Sequence, residues 1–311
     1  MENKHKSLGW GKISDNGAEI WDDNPIFLRD RVDYKDWLKL MFYPKKFFLY
    51  KWIKKHKAKL RRDFIREPFR VLDVGCGTGA AVIDLKKMFG RQAEIVGIDV
   101  VRLQIELAEK KITANAVWAQ VGCYDGKRID WPDGYFDAIY TSDVLGHVAN
   151  VPAWLAELSR VLRTGGALAM FAESALGRHA YLRRYLLARG LNIDPHSEFH
   201  ISLYSKAKLR ELVEDAGFGV KKMFSAFWLS FLVHPDEFYE KLQGYTCPDF
   251  TSGQGQKKFL SLRLLNKILY KLKRKLHPYS TAAAELYGLV EMLTLGRWLE
   301  VQGYVILGRK K

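Results

Sequence analysis

From Phe69 onward, short apolar runs alternate with stretches whose apolar residues recur every three to four positions. That is the pattern of a mostly parallel sheet covered by helices. Arg70–Val74 (RVLDV) is predicted as a strand, Ala80–Phe89 as a helix and Glu94–Ile98 as a second strand. A helix over Leu103–Lys111, an extended run at Ala116–Val121 and a strand at Phe136–Thr141 follow. Val151–Leu162 carries Leu155, Leu158, Val161 and Leu162 on one side and reads as a helix, broken by Gly165-Gly166 before a strand at Ala167–Ala172. Ser205–Ala216 is a helix closed by Gly217, and strands are expected near Val220–Phe224 and at Tyr304–Leu307. Repeated strand–helix units favour an α/β fold with a doubly wound sheet. Residues 1–68 and 227–300 lie outside this rhythm. The expected organisation is an N-terminal arm with a basic helix (1–68), a core (69–226), a helical insertion (227–300), and a last core strand with a basic end (301–311).

The stretch Val71-Leu72-Asp73-Val74-Gly75-Cys76-Gly77-Thr78-Gly79 carries the most chemistry. A strand that runs into Gly-x-Gly-x-Gly and then a helix makes a tight turn without side chains, so a ligand can lie against bare backbone at the helix N-terminus. Dinucleotide folds use Gly-x-Gly-x-x-Gly instead. Asp99 closes the second strand about 20 residues past the last loop glycine, where a carboxylate can accept both ribose hydroxyls.

DVGCGTG, GIDV, then Asp125 with the run Trp131–Asp137, then Arg160–Gly166 resemble the ordered motifs of class I S-adenosylmethionine-dependent methyltransferases. The likeness is to the branch acting on small molecules and lipids, quinone-biosynthesis methyltransferases included, and covers about residues 69–226. It implies a Rossmann-like, seven-stranded methyltransferase sheet, with the helical extension before it and the helical insertion before its last strand. It also implies S-adenosyl-L-methionine as cofactor. Asp73 and the backbone of Gly75, Cys76, Gly77 and Gly79 would hold the methionine moiety, Asp99 the ribose, and Asp125 the adenine amine, with Val100 and Gly126 flanking the ring and Ser142 close by. Many relatives carry Glu where this chain has Gly146, which leaves Asp143 as the acid near the transferable methyl. The Asn/Asp-Pro-Pro-aromatic and Pro-Cys motifs of nucleic-acid methylation chemistries are absent.

Methyl transfer requires alignment of the acceptor, exclusion of water and, for a hydroxyl, removal of its proton. Asp143, His179 and His200 are the candidate catalytic groups, and Glu173, Arg178, Arg184, His196 and Tyr204 the candidate acceptor contacts. His147 reads as structural. Several arginines in a stretch without acids favour an anionic acceptor. Alternatives that remain open are an RNA methyltransferase and a cofactor-binding, non-catalytic partner protein.

The composition, with 48% hydrophobic and 27% charged residues, excludes global disorder. The net charge of +15 is concentrated in two places: 45–62 holds nine Lys and Arg without an acid, and 257–276 holds eight. Both read as basic amphipathic helices suited to an anionic membrane surface, and nucleic acid is not the expected partner. Three scattered cysteines (Cys76, Cys123, Cys247) form no disulfide framework or zinc site, and no metal centre is expected. The first 20 residues lack an apolar core behind their charges, and the longest uncharged apolar run, Phe224–Val233, is half of the ~20 residues a membrane span needs. A cytoplasmic protein, peripheral at a membrane, is the expectation.

Overall fold

A computed structural model describes residues 11–13, 19–29, 31–60, 67–194, 197, 199–244 and 259–311. Seven strands form one sheet: β1 (Phe69–Val74), β2 (Ala93–Asp99), β3 (Gln120–Cys123), β4 (Phe136–Ser142), β5 (Leu162–Ala172), β6 (Phe218–Phe224) and β7 (Tyr304–Lys310). Their spatial order is 3-2-1-4-5-7-6, with β7 antiparallel to both of its neighbours. β1 to β5 run parallel, so all their C-terminal ends lie on one edge.

Helices α1 (Tyr34–Leu40), α2 (Pro44–Lys59), α3 (Ala80–Phe89) and α4 (Arg102–Ala114) come first, then α5 (Val151–Val161), α6 (Tyr181–Leu187) and α7 (Lys206–Asp215). Between β6 and β7 the chain forms α8 (Ser230–Val233), α9 (Asp236–Gly244), α10 (Leu260–Lys275) and α11 (Tyr279–Thr294).

Alternation along β1 sends Val71 into a core with α2 and α3, and Leu72 and Val74 into a second core with α5 and α7. The basic helix α2 is therefore a layer of the sheet rather than an appendage: Phe48, Leu49, Tyr50 and Ile53 are buried in the first core. Trp52 Nε1 donates to the Gly308 carbonyl on β7. The apolar side of this helix is used internally, while α10 leaves Leu260, Leu264, Ile268, Leu272 and Leu276 exposed.

Two strand boundaries differ from the sequence pattern. β3 begins at Gln120 rather than Ala116, because Ala116 sits at φ 51° in the turn that ends α4, donating to Thr113. β5 begins at Leu162, directly out of α5, and Gly165 at φ 76° lies inside the strand instead of before it.

Candidate active site

The glycine loop joins β1 to α3 on the C-terminal edge of the sheet. Gly75 has φ 72°, and a Cβ there would sit 2.2 Å from Val144 Cγ2. The loop after β1 and the loop after β4 are thus in contact through a position only glycine fits. Asp99 accepts from the Gly77 amide at 2.9 Å and from the Val101 amide at 2.9 Å, which ties the end of β2 to the loop. Burial pushes its carboxyl above the usual range, against the pull of those backbone donors. Asp73 is 1% exposed, and neither of its oxygens has a hydrogen-bond partner. Burial, with the Asp99 charge beside it, raises its pKa to about 8. A buried carboxyl without a partner calls for a donor, which a bound ligand would supply. Val100 is exposed beside Gly126, the two forming one wall past Asp99. Asp125 lies at that wall and accepts from the Lys127 and Arg128 amides, which hold its carboxyl below the usual range. Cys76 is buried, and burial pushes its thiol up, which leaves it a packing residue.

The next strand ends carry a second set of charges. Asp143, at φ 61° after β4, accepts from Ser142 Oγ at 2.6 Å and from Lys45 Nζ at 2.9 Å. Burial would raise the Asp143 carboxyl, but the Lys45 ammonium and Ser142 hydroxyl outweigh it and hold the group low. Lys45 also lies over the Phe171 ring at 4.0 Å. Glu173, after β5, is raised well above the usual range by burial and by the Asp143 charge. Glu173, His147 and His200 converge, their ligand-type atoms within 4.8 Å of one another. His200 Nδ1 lies 2.9 Å from Asp194 Oδ2, and His147 Nδ1 lies 3.1 Å from the Phe199 carbonyl.

A cavity of about 820 Å³ opens beside this cluster, lined among others by Ser174, Tyr181, Arg184, Tyr185, Asp194 and Leu203. That is the size of a small-molecule site. Arg184 faces it with no ion-pair partner among the described residues, whereas Arg183 pairs with Glu237 and lies over Phe238.

Three residues expected at the site have other work. His179 Nδ1 accepts from the Glu300 amide, and Arg178 pairs with Glu300 at 3.3 Å, so both hold the segment leading into β7. Tyr204 packs on the core beneath α5 and α7 rather than into the cavity. His196 lies outside the described residues. Asp137 and Arg160, part of the motif runs, are structural: Asp137 accepts from the Arg70 amide and Arg163, and Arg160 holds Ile129, Trp131, Asp133 and Glu157.

Sequence reasoning missed the N-terminal contribution. Asp22 and Asp23 lie over the glycine loop, with Lys111 bridging Asp22 Oδ1 (2.7 Å) and Thr78 Oγ1 (2.9 Å) and Lys46 paired with Asp23. Phe27, fully buried, donates its amide to Asp84, which also accepts from Tyr50. One signal was present: Lys45 and Lys46 follow Pro44 in the first turn of α2, where the helix dipole repels cations unless anions face them.

Residues 45–222, more than half of the chain, match the methyltransferase-domain family. A demethylmenaquinone methyltransferase of Deinococcus radiodurans is 39% identical over 114 residues, covering 37% of this chain and 47% of that protein. An O-methyltransferase of Aspergillus nomiae is 31% identical over 157 residues, covering 49% of this chain and 64% of that protein. The chain thus spans less than two thirds of either relative. A solved geranyl diphosphate methyltransferase shares the fold, with a TM-score of 0.50 at 11% identity, covering 84% of this chain and 77% of that one. The sheet order, glycine loop and strand-end carboxylates define a class I S-adenosylmethionine-dependent methyltransferase. The chain belongs to that family, its family match beginning at Lys45 in α2.

Proposed function

We propose that this chain transfers a methyl group from S-adenosylmethionine to oxygen or carbon of a small, anionic acceptor. The observation that carries the reading is the buried, unpartnered Asp73 carboxyl beside the glycine loop, on the same edge of the sheet as an arginine-bearing cavity. Asp73 and the backbone of the glycine loop take the methionine end and Asp99 the ribose. Asp125 takes the adenine amine between Val100 and Gly126. Neighbouring strands are about 4.8 Å apart, so a cofactor laid from β2 across β1 presents its sulfonium near β4. The acceptor then sits between the ends of β4 and β5, with its anionic group on Arg184. Proton loss from an acceptor hydroxyl falls to the imidazoles that converge there, His147 and His200. Asp143 is held by Lys45 and is a weak base. The Lys45–Asp143 pair fixes the loop that faces the methyl.

Arg184→Ala is expected to raise KM for the acceptor about tenfold or more, the scale of one charged hydrogen bond. KM for S-adenosylmethionine stays put. Steady-state kinetics with each substrate varied will check this, and equal effects on both constants would remove Arg184 from the acceptor site.

The site of action we propose is an anionic membrane surface, a reading supported by α10. Its exposed leucines and Ile268 run beside Lys267, Lys271, Arg274 and Lys275, and Trp228, Leu229 and Leu232 of the same insertion are also exposed. Such a face combines apolar burial with about 1 kcal/mol per basic residue near anionic lipid. Among the described residues no helix is long and apolar enough to cross a membrane. The protein is expected to sediment with vesicles containing phosphatidylglycerol at low salt, and Leu264→Glu with Ile268→Glu to abolish this. Wild-type protein left in the supernatant would end the surface reading without touching the methyl-transfer one.

A further inference from the structure

We propose that His147, Glu173 and His200 form a binding site for one divalent first-row transition-metal ion. Two imidazoles and one carboxylate converge from three separate segments: the loop after β4, the end of β5 and the irregular segment before α7. Their candidate ligand atoms lie within 4.8 Å of one another, and side-chain rotation closes this toward the about 3 Å between ligands of a single ion.

The groups behind the ligands match what such sites require. A metal-bound histidine donates its other ring N–H to a carboxylate or backbone carbonyl, which fixes the tautomer and the ring plane. Here His200 Nδ1 meets Asp194 Oδ2 at 2.9 Å and His147 Nδ1 meets the Phe199 carbonyl at 3.1 Å. With the proton on Nδ1 in both rings, Nε2 carries the ligand lone pair. The two rings stand 5.1 Å apart and inclined by 51°. Glu173 Oε2 is buried, and the Glu173 carboxyl shares a proton with Asp143 that a bound ion would displace. Gly146 keeps the space open: a Cβ there would lie 3.3 Å from Glu173 Oε2 and 3.6 Å from His200 Nε2. Asp143 is excluded as a fourth ligand by its pairing with Lys45.

Two histidines and one carboxylate on one side of an ion leave the opposite positions open, and this donor set suits Fe²⁺, Mn²⁺, Co²⁺ or Zn²⁺. Asp194, which supports His200, also lines the acceptor cavity, so the open positions border the place where an acceptor oxygen would sit. Metal binding stands on the geometry alone. Its use, which lowers the pKa of a bound acceptor hydroxyl, rests on the methyl-transfer reading. In that use His147, Glu173 and His200 act as ligands, and the ion eases the proton's loss.

The test is calorimetric titration of the full-length, chelator-treated and dialysed protein with Co²⁺, Mn²⁺ and Zn²⁺, with the Co²⁺ absorption spectrum recorded alongside. One equivalent is expected to bind, with affinity lowered at least tenfold in His200→Ala and in Glu173→Gln, and by tenfold to a hundredfold in Asp194→Asn. Circular dichroism and S-adenosylmethionine binding, measured on each variant, separate loss of the site from loss of the fold. Failure of the wild type to bind, or equal binding by the His200→Ala and Glu173→Gln proteins, would overturn the proposal. Methyl transfer that persists in metal-free protein overturns the catalytic use alone, and metal binding without transfer to any acceptor overturns the methyl-transfer reading alone.

Discussion

Gly75→Ala is expected to weaken S-adenosylmethionine binding by more than tenfold and to lower the melting temperature by several degrees. Two separate costs meet at this residue. The backbone has φ 72°, a left-handed conformation that charges an L side chain about 1–2 kcal/mol. The new Cβ would also lie 2.2 Å from Val144 Cγ2, a distance no contact tolerates. Val144 must rotate or retreat, and it precedes Gly146 in the loop that follows Asp143. The damage therefore spreads from the cofactor loop to the acceptor side. Adding Val144→Ala removes the 2.2 Å contact, leaving Cβ at 3.3 Å and the first cost in full, so the double variant should recover part of the stability and part of the affinity. Calorimetric binding and thermal unfolding of the three proteins will check this. Wild-type affinity in Gly75→Ala would mean that the loop glycines do not cradle the cofactor.

Cofactor affinity is expected to rise about tenfold per pH unit from pH 6 to about 8 and to fall above it. Burial and the neighbouring Asp99 lift the Asp73 pKa to about 8, so the carboxyl is mostly protonated in the empty site at neutral pH. A cationic α-amino group on the bound cofactor favours the ionised form, and binding below pH 8 then releases a proton. Above about pH 8 the amino group of the free cofactor loses its own proton, and the dependence reverses. The same shift bears on stability. A carboxyl whose folded pKa is raised binds more protons folded than unfolded, so its contribution is full below pH 3.8 and fades as pH rises toward about 8. The slope is at most about 1.4 kcal/mol per unit. The ligand-free protein is thus expected to lose stability across that window, and saturation with cofactor to flatten the loss. Calorimetry in buffers of different ionisation enthalpy counts the protons directly. A flat affinity profile, or one unchanged by Asp73→Asn, would take Asp73 out of contact with the amino group.

The cofactor half of the site was legible because it is local. Asp73 through Gly79 are consecutive, Asp99 ends a strand that an apolar run announces, and Asp125 follows β3 by two residues. A strand end followed by glycine or a carboxylate states its geometry in a few residues. The proposed acceptor half was legible only in part: Asp143, Glu173, Arg184 and His200 are named from their place in the chain, but their contacts are assembled by topology. Lys45 reaches Asp143 only because α2 packs across the sheet, and His147, Glu173 and His200 meet only because β4 and β5 are neighbours with a returning segment beside them. Residue type alone did not separate His200, which joins that cluster, from His179, which clamps Glu300. Charge patterning likewise treated 45–62 and 257–276 as equals. Burial divides them, since α2 places Leu49 and Ile53 in the core and pairs Lys45 with Asp143 and Lys46 with Asp23, while α10 keeps its apolar stripe outside.

The strand order also says how the sheet must be completed. Among the described residues β6 pairs with no strand but β7, and β7 is synthesised only after the whole insertion. While the insertion is being synthesised, Phe218–Phe224 has no ladder to join and β5 presents an open edge at Ala167–Ala172. Arrival of Tyr304–Lys310 closes both at once and brings Arg309 onto His56 of α2, at 3.0 Å. A chain interrupted before residue 304 therefore loses two strands of pairing, and it exposes an edge of the kind that templates aggregation. In such a fold, quality control during synthesis has most to do in the interval between β6 and β7.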